Sequence, residues 1–167
     1  VGTNIIQYSG TGNSYKGNKS TNCGAGAAGL HIVGGDDTEV KGNDLHDNVS
    51  GLVIGAGVSN TEVTNNKFLT NTIDVTDSGT NTNIHDNTGY VTENKGASAI
   101  ASGTTSIAVT HGLSVTPNLQ DISITFGEQG TSDYGRWWIS TITSTQFTLN
   151  VSVDPGASNL DFGWKIN

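Results

Sequence analysis

The sequence has no methionine, one cysteine, and prolines only at 117 and 155. A single cysteine, Cys23, excludes an intrachain disulfide framework. It reads as a small buried residue, because no neighbouring base or cation favours a reactive thiol. Positive charge is scarce: 7 Lys and Arg stand against 15 Asp and Glu, a net charge of −8. That balance argues against nucleic acid as a partner. The acidic residues are scattered, which suits a solvated acidic surface better than a disordered tail. No apolar run approaches the roughly 18 residues of a membrane span. The opening Val1-Gly2-Thr3-Asn4 has no basic start and no apolar core, so no signal peptide is read there. No stretch carries an apolar i, i+3, i+4, i+7 pattern long enough for a helix.

Gly, Asn, Thr and Ser are abundant, and regular β-branched and aromatic positions run through them. Together they predict a turn-rich, all-β protein. The organising stretch is Leu30 to Thr72. Leu52 follows Leu30 by 22 residues, Val63 follows Val40 by 23, and Asn66 follows Asn43 by 23. Phe68 answers Leu45, and Asn71 answers Asn48. A period in the low twenties marks a solenoid. A looser first copy has Ile5-Ile6, Tyr15 and Asn18, with Asn22 at the place of Asn48. A fourth begins at Ile73-Asp74-Val75 and reaches Ile84 and Asn87. The expectation is a short right-handed parallel β-helix of about four coils, near 5–29, 30–51, 52–72 and 73–90. Val40, Val63 and Ile84 should stack on one inner wall. Leu45 and Phe68 should stack on a second, and Leu30, Leu52 and Ile73 on a third. No coil can bury its apolar face alone. The first coil shows no cap, so further coils are expected upstream in a longer parent protein.

Asn18, Asn43, Asn66 and Asn87 recur at one corner. The structural reading is an asparagine ladder, since Asn tolerates the left-handed conformation and stacked amides bond one another. The functional reading is sugar contact. Periodicity stops near Tyr90, and Glu93 to Ala97 reads as a polar linker. Alternating strands follow at Ala99–Ala101, Ser106–Thr110, Asp121–Phe126, Arg136–Thr141, Gln146–Val153 and Leu160–Ile166, with Phe147, Leu149, Val151 and Val153 on one face. Asp154-Pro155-Gly156 is a turn. Six such strands predict a C-terminal antiparallel β-sandwich. The domain expectation is therefore 1–92 for the β-helix and 93–167 for the sandwich.

The run from Gly89-Tyr90-Val91-Thr92-Glu93-Asn94 through Ile107 to Leu113, Asp121 to Thr125, Trp138-Ile139-Ser140 and Val153-Asp154-Pro155-Gly156 resembles the C-terminal sandwich of viral tail-spike and tail-fibre proteins. Such sandwiches also follow pectate-lyase-like β-helices. Trp138 to Phe147 further resembles the H-type lectin sandwich. The likeness covers 89–167, and the β-helix half matches only as a repeat architecture. It implies a homotrimer, a place on the virion tail, and contact with host-surface polysaccharide. A secreted or cell-surface location is the alternative.

No catalytic residue is expected. Glycan hydrolysis needs two carboxylates spaced about 5 to 9 Å apart, and a lyase needs a base with charge neutralisation of the uronate. Asp36-Asp37, Asp44, Asp47, Asp74 and Asp77 form no column along one face. The alternative is the end of a polysaccharide lyase, epimerase or hydrolase, or a stand-alone carbohydrate-binding module. No metal site and no cofactor are expected, because no two of His31, His46, His85 and His111 share a register on neighbouring coils. His111 could still meet its copies on a trimer axis. The candidate glycan or trimer-interface residues are Asp133, Tyr134, Arg136, Trp137 and Trp138. Successive strand residues face opposite sides, so one tryptophan should pack inside and the other should face out.

Overall fold

The structure is a computed structural model, and it describes residues 2, 4–127 and 134–167. It divides into two compact units, Val1–Val91 and Thr92–Asn167. The first is a parallel β-solenoid of about four coils. Coil one supplies β1 (Ile5–Gln7), β2 (Ser14–Lys16) and β3 (Lys19–Thr21). Coil two supplies β4 (Ala28–Asp36), β5 (Glu39–Lys41) and β6 (Asp44–His46). Coil three supplies β7 (Ser50–Ser59), β8 (Glu62–Thr64) and β9 (Lys67–Leu69), and coil four β10 (Ile73–Asp77) and β11 (Asn83–His85). Equivalent strands pair in parallel as three sheets, β1-β4-β7-β10, β2-β5-β8-β11 and β3-β6-β9.

Register follows the sequence repeat. Tyr15, Val40, Val63 and Ile84 pair in turn, and Leu45 faces Phe68. Leu30, Ile32, Val40, Leu45, Leu52, Ile54, Val58, Val63 and Phe68 form one buried cluster. The third wall differs from expectation. Val75, not Ile73, lies beside Leu52, while Ile73 pairs with Ser50 and is exposed. The spacing explains this: Val75 keeps the 23-residue step from Leu52, and Ile73 falls two residues short.

The asparagines lock successive coils together. The backbone N–H of Asn18, Asn43 and Asn66 donates to Oδ1 of the asparagine one coil on, each at 2.9 Å. Nδ2 of Asn43, Asn66 and Asn87 donates back to the carbonyls of Tyr15, Val40 and Val63, each at 2.9 Å. Buried backbone groups need such partners. A second column repeats the device with Asn48 and Asn71. There Cys23, not Asn22, takes the first-coil position: its N–H donates to Asn48 Oδ1 at 3.0 Å. Asn22 is instead left-handed, like Asp47 and Thr70 on later coils. The first column shows the same offset. The left-handed residues are Gly17, Gly42, Asn65 and Asp86, one before each ladder asparagine. The ladder residue thus keeps ordinary backbone geometry and spends its amide on its neighbours.

The second unit holds two three-stranded antiparallel sheets, as a sandwich. Its strands are β12 (Asn94–Ile100), β13 (Ser106–Thr110), β14 (Ile122–Phe126), β15 (Trp137–Ser140), β16 (Gln146–Val151) and β17 (Leu160–Ile166). A 3-10 turn, Leu119–Asp121, precedes β14. The sheet orders are β12-β17-β14 and β13-β16-β15. Alternation sorts the faces: Leu160, Phe162, Trp164 and Ile166 are buried, as are Phe147, Leu149 and Val151. Two expectations are corrected. Of the supposed linker Glu93 to Ala97, all but Glu93 is the first half of β12, an edge strand whose first residues are exposed. Val153 is exposed, because β16 ends at Val151.

Candidate functional site

The candidate aromatic cluster is built on β15, an edge strand. The chain enters it through Gly135, whose φ is +69°. A Cβ there would lie 2.3 Å from Ser152 Oγ, so only glycine fits. Arg136 N–H donates to that same Oγ at 2.9 Å, and Ser152 N–H donates to the Arg136 carbonyl at 2.8 Å. Val153 N–H donates to the Tyr134 carbonyl. These bonds tie the cluster's backbone to the segment that leaves β16.

Trp137 lies opposite Val151, and Trp138 lies opposite Asn150. Their exposures are 46% and 47%, so neither is a core residue. The expectation of one tryptophan inside is corrected. β15 is four residues long, and Trp137 is its first, so the inward-facing position falls at the rim of the sandwich. There its ring meets Phe126 edge-on, centroids 5.8 Å apart. Phe126 also stacks on Tyr134 at 4.8 Å and touches Phe162 at 6.2 Å. Trp138 makes no ring contact among the described residues. Trp164 is the core indole, edge-on to Phe147 at 6.0 Å. Arg136 is exposed beside the cluster, and Asp133 lies outside the described residues.

The other candidates sit elsewhere. Asn43 and Asn66 are only 2% and 1% exposed, out of reach of a sugar. His111 is buried and bonded on both sides: Nε2 to the Thr143 carbonyl at 3.0 Å, Nδ1 to Leu113 N–H at 3.1 Å. That geometry assigns the proton to Nε2 and leaves neither nitrogen for a metal on a trimer axis.

Three of the solenoid's carboxylates are held as carboxylates. Hydrogen bonds from Ser59 and Asn60 keep Asp36 below its ordinary pKa. Lys16, 2.7 Å away, does the same for Glu39, and Thr70 followed by His46 for Asp47. A general acid needs the opposite shift. His85 is raised by its bonds to Asp86 and Glu62, at 2.7 and 2.5 Å. No group of three or more His, Cys, Asp and Glu placed to hold a metal exists among the described residues.

No curated protein and no solved structure matches the chain. One family does, that described as "Periplasmic copper-binding protein (NosD)", over residues 2–105. The match spans the solenoid and ends just before β13. The donors present do not fit copper, whose sites favour converging His, Cys or Met. Methionine is absent. Cys23 is buried, its Sγ bonded to the Ala28 carbonyl at 3.1 Å. His31, His46 and His85 stand on three different sheets, and His111 stands in the other unit. With more than half its length matched in a β-solenoid, the chain belongs to the NosD family.

Proposed function

We propose that this protein is a non-catalytic surface-recognition protein that grips glycan through the aromatic rim of its sandwich, with the solenoid as a stiff structural body. The observation that carries the reading is the pair Trp137 and Trp138, adjacent and each nearly half exposed on an edge strand. Large indoles in water stack on sugar rings or fill an interface. Tyr134 and Phe126 brace the inner side, and Arg136 supplies donors for hydroxyl groups. In its finer form, drawn from the resemblance, the protein is the receptor-binding part of a viral tail spike or fibre, closed as a homotrimer on the virion. The exposed Ile6, Tyr8 and Val33 of the solenoid would suit burial between copies. The family's printed description, periplasmic, favours the secreted or cell-surface alternative.

The deciding experiment is a glycan array run with the wild-type chain and with Trp137→Ala and Trp138→Ala. Expected are wild-type hits that weaken in both variants. Hits of equal strength in all three chains sink the reading. Light scattering tests the assembly, and a monomeric mass ends the homotrimer. Turnover of an acidic polysaccharide would favour the rival reading as part of a lyase, epimerase or hydrolase.

A further inference from the structure

The outward side of the β12-β17-β14 sheet carries an arrangement that packing alone does not explain. Lys95 on β12 lies directly opposite Lys165 on β17, and Ser123 on β14 lies opposite Lys165 on the other side. All three side chains are exposed. Like charges directly opposite one another destabilise an antiparallel pair. A lysine on an edge strand can guard against aggregation, which accounts for Lys95. It does not account for Lys165, which sits on the central strand. Every ion pair among the described residues lies in the solenoid, and neither lysine takes part in one there. In a chain of net charge −8, two cations side by side are conspicuous.

Beyond the lysines the face is lined by small residues. The next row is Ala97, Gly163 and Thr125, and the row after it has Ala99 and Asp161. Two open cavities of about 590 and 720 Å³ lie here and share Gly163 and Thr125. Both are wide and shallow, a form that suits an extended chain lying along the strands better than a small molecule. Lys165 and Asp161 are four residues apart, so the floor runs roughly 13 Å along β17. The far cavity ends at Phe126 and Gly127.

We propose that this face is a binding trough for an acidic polysaccharide. Lys95, Lys165 and Ser123 hold the carboxylate or sulfate ester of one sugar, and the small-residue floor takes the rings beyond it. The ammonium groups and the hydroxyl donate to the anion, and the anion removes the repulsion between the lysines. That the anion is borne by a glycan rests on the reading above. The charge argument does not.

The test is calorimetric titration with oligogalacturonate, with a sulfated dextran fragment and with neutral dextran. The wild-type chain should bind one or both acidic oligomers more tightly than the neutral one. Whichever acidic oligomer binds identifies the ester or the carboxylate. Lys165→Glu converts the like pair into an opposite pair. It should melt no lower than wild type, yet bind the acidic oligomer about tenfold more weakly or worse. Lys67→Glu in the solenoid changes the net charge equally and should leave affinity unchanged. Gly163→Thr should also fold, since a Cβ there meets nothing closer than 3.9 Å, and should block the trough by filling its floor. Equal affinity for acidic and neutral oligomers, or equal loss in Lys165→Glu and Lys67→Glu, overturns the proposal. Acidic oligomers that fail to bind while neutral glycan still depends on Trp137 and Trp138 remove the trough and leave the aromatic site standing.

Discussion

The two units stabilise β-structure by opposite means. In the solenoid, polar side chains do much of the internal work. Asn43, Asn48, Asn66, Thr38 and Thr61 are buried beside the apolar stacks. In the sandwich, the interior is almost wholly apolar, and His111 is the buried polar exception among the described residues. The cause is geometric. A solenoid turns three corners per coil, and each corner strands backbone groups that something must satisfy. An antiparallel sandwich makes its reversals at the surface, where water serves. The buried polar residues of the solenoid are therefore committed to structure, whereas the polar residues of the sandwich lie on its faces. This is why the recurring asparagines are poor site candidates and the non-recurring Trp137, Trp138, Lys95 and Lys165 are better ones.

Mutation can sharpen that contrast. The largest effect is expected from Phe68→Ala, which empties the only aromatic position of the solenoid's buried cluster. It should cost about 3–5 kcal/mol of unfolding free energy, read by urea titration of far-UV circular dichroism. A cost below about 1 kcal/mol would show that the coils do not depend on their apolar stack. Next is Asn66→Ala. Asn66 donates to Val40 and Asn87 and accepts from Asn43, so its loss orphans buried groups on two neighbours. A destabilisation of roughly 3 kcal/mol is expected. Asn66→Asp should recover part of it by keeping the acceptor oxygen. If alanine is neutral, the ladder is ornamental. Trp138→Ala should be smaller, within about 1 kcal/mol, because the ring is half in water. A larger loss would make it a packing residue after all.

The smallest effect is electrostatic. His85 has a raised pKa in the folded chain, so its pairing with Asp86 and Glu62 stabilises the fold fully below the unfolded value of 6.5. That contribution disappears as pH rises through the raised value. Melting curves of wild type and His85→Asn should therefore separate in mild acid and converge in alkali. Curves that separate only in alkali would contradict the sign. Asp36, Glu39 and Asp47 act in the other direction. Their lowered values give stability above the ordinary carboxylate range that is lost as pH falls through them.

Much of the fold was legible because a repeat checks itself. Val40, Val63 and Ile84 could be aligned by eye, and the structure pairs them so. Errors came where one copy departs from the others. Ile73 resembles Leu52 in type, but spacing puts Val75 in its place. Cys23 stands where later coils have asparagine, and its N–H keeps the ladder bond although its side chain cannot. Sandwich strands were legible from alternation wherever one face is buried. Only the end of β12 was read as a strand, Ala99–Ala101, because its first four residues are exposed. Alternation could not place Trp137, since it sorts faces but is silent about distance from a sheet's rim. The lysine pair was invisible for a deeper reason. Lys95 and Lys165 are 70 positions apart, and only the antiparallel register brings them together.

The asparagine bonds also constrain how such a chain can change length. Each amide addresses the coil before it, and the steps of 25, 23 and 21 residues between Asn18, Asn43, Asn66 and Asn87 show that a corner can absorb two residues while the column stays in register. A whole coil can also be lost. Excising 43–65 would join Gly42 directly to Asn66, which already occupies the next equivalent place in the column. Lineages of this protein should therefore grow and shrink in steps of one turn, as quasi-one-dimensional arrays permit, with smaller insertions confined to the corners between strands.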